Sequence, residues 1–225
     1  MCGRFTLASE VEQLQERFAF EPGEMVVQPS YNIAPGQNVV AVVRDGAVNR
    51  AGWLRWGLVP SWAKDVKIGY KMTNARVETV AEKSSFRSAL RQRRCLVLAD
   101  GYYEWRREGK QKIPMYIRLS SRNPFAFAGL WETWQGAEGE PLSTCTILTT
   151  AANAALQAIH HRMPVILDPA RETLWLDREV TDPEHLLPLL NPALPEAIEA
   201  YAVSTWVNLA RNNSPACIEP LSNSG

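Results

Sequence analysis

Arg94-Cys-Leu-Val-Leu-Ala-Asp-Gly-Tyr-Tyr-Glu-Trp-Arg106, followed by Lys112-Ile-Pro-Met-Tyr-Ile-Arg-Leu119 and Phe125-Ala-Phe-Ala-Gly-Leu-Trp131, is the stretch that decides the fold. Apolar, β-branched and aromatic residues fill Arg94–Ala99, Tyr102–Arg106, Lys112–Leu119 and Phe125–Trp131, and turn residues separate them. Ser143–Thr149 reads the same way. The connections are too short for crossovers, so these strands are expected to be mostly antiparallel. Upstream, Val39–Arg44 and Ala47–Trp56 flank Asp45-Gly46, a hairpin signal.

Around this β-rich middle the pattern predicts a helix over 8–20, with Val11, Leu14 and Phe18 at helical spacing and Ser9 with Glu12 as a capping box. Residues 21–37, rich in Pro and Gly, read as loop, and residues 60–76 as irregular. Further helices are expected at 77–90, 150–160, 169–176 and 183–190, with short strands at 165–167 and 200–203. The polar tail from Asn212 reads as loose. The expectation is one α+β domain over residues 1–225, a mostly antiparallel, curved or barrel-like β core with flanking helices.

Composition narrows the function. Lys+Arg and Asp+Glu are 24 each, which argues against non-specific nucleic-acid binding through a charged tail but not against a local basic cleft. Four cysteines, Cys2, Cys95, Cys145 and Cys217, lie far apart without a Cys-x-x-Cys, and there are three histidines. No disulfide framework and no metal site are expected. No signal peptide and no membrane-length apolar run are seen, so the expected location is cytoplasmic. Gly-x-Gly-x-x-Gly, Walker, His-Glu-x-x-His and Gly-x-Ser-x-Gly motifs are missing from the sequence, and no cofactor is expected.

Five clusters stand out. Cys2, if Met1 is removed, carries an α-amine and a thiol on adjacent carbons, both partly nucleophilic near neutrality. Such a residue condenses with an aldehyde through nitrogen and closes a five-membered ring through sulfur. Arg4 beside it suits a phosphate or a carboxylate. Asn74 and Arg76, before a predicted helix, fit either a sugar and a phosphate or a helix cap and a surface cation. Glu104 sits in an aromatic strand with Tyr103 and Trp105 facing the opposite side, so it is either a buried acid–base or a solvent-facing residue. His160 precedes the Arg162-Met-Pro164 turn and suits proton transfer or C-capping. Trp62, in Pro60-Ser-Trp-Ala63, is the tryptophan best placed for stacking on an exposed base.

Together the clusters resemble the SRAP family, the SOS-response-associated peptidase family of abasic-site processing proteins. The matching stretches are Met1-Cys-Gly-Arg-Phe5, Tyr31-Asn-Ile-Ala-Pro35, Arg55-Trp-Gly-Leu-Val-Pro60 with Trp62, and Asn74-Ala-Arg-Val-Glu-Thr79. They continue with Ala99-Asp-Gly-Tyr-Tyr-Glu-Trp105, Phe127-Ala-Gly-Leu-Trp131, Thr149-Thr-Ala-Ala-Asn153, His160 with Arg162-Met-Pro164, and Val207-Asn208. They run in family order across nearly the whole chain. The resemblance implies a cleft for single-stranded DNA and covalent capture of an abasic site as a thiazolidine, with Cys2 as nucleophile and Asn74, Glu104 and His160 around it. It implies that Arg4 and Arg76 hold phosphates and that Asn32, Pro35 and Trp62 shape the DNA path, with Trp105 and Arg162 also facing DNA. It also implies autocatalytic removal of Met1. The expected partner is single-stranded DNA with an abasic site, bound by a monomer that joins the nucleoid at damage. Two rival readings stay open: a thiol peptidase acting on other proteins through Cys2 and His160, and a non-covalent single-strand nucleic-acid module.

Overall fold

The computed structural model describes residues 2–21, 25–136, 139, 141–193 and 195–221. Its strands are β1 (Arg4–Leu7), β2 (Phe20–Glu21), β3 (Ser30–Ile33), β4 (Asn38–Asp45), β5 (Val48–Trp56), β6 (Asn74–Arg76) and β7 (Arg94–Ala99). They continue as β8 (Gly101–Glu108), β9 (Gln111–Leu119), β10 (Phe125–Trp134), β11 (Leu142–Ala151), β12 (Arg162–Pro164), β13 (Ile166–Leu167) and β14 (Ile198–Ala202). The helices are α1 (Val11–Phe18), α2 (Val77–Val80), α3 (Arg87–Gln92), α4 (Pro169–Leu176) and α5 (Pro183–Leu186).

Strands β5, β4, β7, β10 and β11 pair in that order, and β11 returns to β5 through a parallel pairing at Thr144–Arg55 and Cys145–Trp56, closing a ring. All other pairings within the ring are antiparallel. The ring explains why β7 is buried at every residue and why Phe125–Leu130 of β10 are too. One face of these strands lines the interior, and α3 and α4 pack against the strands from outside. Such strands read as continuous apolar runs rather than alternating ones.

A second sheet, in the order β14-β9-β8-β1-β3, lies against the ring. Here alternation is clear. Tyr102 and Ile117 join the main core, while Tyr103 and Tyr116 face a smaller cluster with Val203, Val207 and Cys217. Phe5 of β1 stacks edge-on against Trp56 and Phe127, with ring centroids 5.1 and 5.7 Å away. Burying a side chain of this size stabilises by about 1.5–3 kcal/mol, so Phe5 fastens the start of the chain to the ring.

The antiparallel, barrel-like α+β core and the 45–46 hairpin are as the sequence predicts. Several local expectations are corrected. Helix α1 has Glu10 at its N-cap and no side-chain cap, because the Ser9 hydroxyl donates to Asp100 at 2.6 Å instead. Residues 150–160 do not form a helix: β11 extends to Ala151, and 154–159 are turns hung on the Asn153 carbonyl and side chain. The 77–90 segment is broken into α2 and α3. The tail from Asn212 is packed as far as Leu221. Cys217 is buried, the Tyr201 hydroxyl donates to the Ile218 carbonyl, and the Leu221 amide donates to Ala202. Its last four residues, like Met1, Pro22 and Gly23, lie outside the described residues.

Candidate active site

Cys2, two residues before β1 of the second sheet, is fully buried. Its backbone carbonyl accepts a hydrogen bond from the Asn74 side-chain amide at 2.8 Å. Asn74 is held in turn. It begins β6, which runs parallel to β11 at Ile147, and the preceding Thr73 carbonyl accepts from the Trp56 indole at 2.8 Å and from the Ile147 amide at 3.1 Å. A helix-cap role for Asn74 is excluded by position, because Arg76 is the N-cap of α2.

Glu104 is 5% exposed on β8, on the same face as Tyr102, which resolves the sequence alternatives in favour of burial. Burial, and next the Glu104 carboxylate, push the Cys2 thiol well above its ordinary value, so the sulfur is protonated at neutral pH. Burial first, then Cys2 and Glu104, raise the Tyr102 phenol in the same way. His160 sits before β12. Its pKa is lowered from 6.5 by burial, which outweighs the opposing pull of Glu104. Its Nδ1 lies 3.0 Å from the Arg162 amide and 3.1 Å from the Arg162 carbonyl. The same residue therefore offers Nδ1 a donor when it is bare and an acceptor when it is protonated, and the ring keeps its place through a proton transfer.

A cavity of about 390 Å³ opens beside these groups, lined by Glu104, Trp105, Arg107, Lys112, His160 and Asn208. Arg107 and Lys112 face each other across the β8–β9 pair. Two like charges directly opposite are unfavourable in isolation, and both are exposed, so the cavity rim is positive. Sequence reasoning passed over both residues. Their opposition follows only from the hairpin register. Asn208 accepts from the Trp105 indole at 2.8 Å and so fixes the tryptophan at the rim.

The remaining sequence candidates divide sharply. Arg4 donates to Asn32 at 2.8 Å, to the Val207 carbonyl at 2.9 Å and to the Asn208 carbonyl at 3.2 Å. Asn32 is 2% exposed, and its amide donates to the carbonyls of Val207, Leu209 and Asn212. These two residues bind the 205–212 segment to β1 and β3, and Asn32 is an interior clamp rather than a surface side chain. Arg162 is forked onto Glu78 at 2.5 and 3.0 Å and also donates to the Thr149 carbonyl at 2.6 Å. Arg76 and Trp62 are exposed, and Pro35 is half-buried. Among the described residues no group of His, Cys, Asp and Glu is placed to hold a metal. No helix among them is long and apolar enough to cross a membrane.

A family profile described as SOS response associated peptidase matches residues 1–210. The chain belongs to the SRAP family. It is 54% identical over 222 residues to the abasic site processing protein YoqW of Bacillus subtilis, covering 97% of this chain and 99% of that one. It is 38% identical over 193 residues to the abasic site processing protein HMCES of Gallus gallus, covering 75% of this chain and 56% of that one. A crystal structure of a protein from Bacteroides thetaiotaomicron superimposes with a TM-score of 0.89 at 26% identity, covering 97% of this SRAP chain and 99% of the other. The ordered motifs of the sequence and the family profile thus agree.

Proposed function

We propose that this SRAP chain senses abasic sites in single-stranded DNA and captures them covalently through Cys2. The observation that carries the reading is the arrangement around Cys2: Asn74 grips its backbone, the buried Glu104 acts on its thiol, and Glu104 and His160 line one cavity. The family membership and the names of the relatives support abasic-site processing, and the residues around Cys2 support the chemistry.

The reaction begins once hydrolysis of the Met1–Cys2 bond has freed the Cys2 α-amine, by the site itself or by a general methionine aminopeptidase. The deoxyribose opens to its aldehyde. The amine adds to C1′, a proton from Glu104 or His160 reaches the departing oxygen, and water leaves to give a Schiff base. The Cys2 sulfur then adds to the same carbon, and its proton passes through Glu104 to the nitrogen. One C–N and one C–S bond form, the carbonyl oxygen leaves as one water, and no electrons are transferred. A raised thiol pKa suits this order, since the neutral amine reacts first and the sulfur needs a base at hand. The thiazolidine offers no ready β-elimination, so the strand stays intact. Arg76 and the Arg107–Lys112 rim hold the backbone without reading sequence. Trp62 and Trp105 border the strand, Pro35 shapes its path, and Arg4, Asn32 and Arg162 keep the walls in place. We read the working unit as a cytoplasmic monomer.

The test mixes protein confirmed to begin at Cys2 with a single-stranded oligonucleotide bearing one abasic site. A band that survives denaturing electrophoresis, with an intact mass equal to the sum less one water, is expected. Its absence overturns the proposal.

A further inference from the structure

The segment between β5 and β6 carries a second arrangement that the capture chemistry does not use. Tyr70 is 60% exposed, yet its position is determined by its surroundings. Its hydroxyl accepts from Arg55 at 3.3 Å, and the Arg55 guanidinium lies 5.7 Å from the ring centroid. The backbone of Gly36 sits against the ring edge, so close that a Cβ there would come within 3.3 Å of Cε1. The 3-10 turn that bears Tyr70, Val66–Lys71, is seated on the ring by Gly57 and Gly69, whose backbones touch: a Cβ on Gly57, at φ 131°, would fall 2.7 Å from the Gly69 oxygen. The Asp65 side chain caps the turn by accepting from the Lys67 amide at 2.8 Å. A large apolar ring in water is thus held by a rigid backbone rather than left loose.

Its neighbours are cations. Residues three apart eclipse each other in a 3-10 turn, so Lys67 and Tyr70 share a face. Lys64 and Lys71 are also exposed, and Asp65 is the single acidic residue of the segment 57–76. In a chain of zero net charge this is a locally positive, aromatic-bearing surface. Along the chain it leads toward the site. Asn74 follows four residues after Tyr70, and Gly36 adjoins Pro35.

We infer that Tyr70 is a stacking platform for a base of the single-stranded DNA flanking the captured site, with Lys67 and Lys71 holding the adjoining phosphates. The inference rests on the proposed capture of abasic DNA. A ring with one exposed face accepts any base, and lysines bind the backbone without sequence preference, so the surface extends the site without restricting sequence.

Binding is measured with oligonucleotides carrying a tetrahydrofuran abasic analogue, which lacks the aldehyde and cannot be captured. A short strand is compared with strands lengthened by a few nucleotides on one flank or on the other. For the wild-type protein, one of the two extensions tightens binding. Tyr70→Ala loses about five-fold or more of that gain, and Tyr70→Phe keeps it. Lys67→Ala and Lys71→Ala each flatten the log–log salt dependence on the long strand by about 0.7. If neither extension tightens wild-type binding, or if Tyr70→Ala shows the wild-type length dependence, the inference is overturned. The capture reading fails separately, when wild-type protein leaves a true abasic site unlinked.

Discussion

Two regions of the molecule bear cationic and aromatic side chains near Cys2, and they are built in opposite ways. In the β1–β3 region with the 205–217 segment, the polar side chains hold the fold: Arg4 and Asn32 spend donors on backbone carbonyls. In the 57–76 segment the backbone does the holding, and Trp62, Lys67, Tyr70 and Arg76 project into water. A cation that satisfies buried carbonyls is part of the fold, whereas one left in solvent is available to a polyanion. Arg4 is engaged with Asn32 and backbone carbonyls, whereas Arg76 is exposed.

That contrast fails first if the chemistry does not belong to the buried region. Cys2→Ala is expected to abolish the crosslink while leaving the tetrahydrofuran oligonucleotide bound, as read by denaturing gel and anisotropy. Glu104→Gln is expected to slow capture by about a hundred-fold or more in single-turnover assays. The pH profile sharpens the same point. His160 acts as a base when neutral, and burial lowers its pKa below 6.5. Capture slows as pH falls from neutrality because the Cys2 amine becomes protonated, and a further fall is expected as His160 is protonated below 6.5. His160→Ala should remove that further fall.

Smaller effects separate clamp from surface. Asn32→Ala strips donors from buried carbonyls and leaves Arg4 without its side-chain acceptor, a loss of about 1–3 kcal/mol. At about 2–4 °C per kcal/mol for a chain of this size, thermal unfolding should shift by several degrees. Arg76→Ala should change stability by less than about 0.5 kcal/mol. It should instead reduce the salt dependence of DNA binding by about 0.7 in log–log slope. If Arg76→Ala melted early and Asn32→Ala did not, the division into clamp and surface would be wrong.

Much of this was legible in residues alone. The strand-forming runs, the Asp45-Gly46 turn and the α4 helix need only local pattern, because turn chemistry and side-chain period act over a few residues. The ordered motifs led to the family and to Cys2, Asn74, Glu104 and His160. What local pattern missed has a common cause. The 150–160 segment has helical composition, yet β11 continues through Ala151 because it pairs with β12 on one edge and β6 on the other. Ser9 lost its capping role because Asp100, distant in sequence, lies within reach. The tail from Asn212 looked loose because its partners are distant in sequence: Asn213 accepts from β3, and the Ile218 carbonyl and Leu221 amide bond to β14.

By itself the sequence determined the class of fold and the family, since both are encoded in periodicity and in the order of short motifs. Only the tertiary structure decided whether Glu104 faced water or Cys2, which arginines were already engaged, and that Arg107 meets Lys112 at the cavity rim. Burial, strand register and the supply of backbone carbonyls are properties of neighbours brought together by folding. No residue carries them alone.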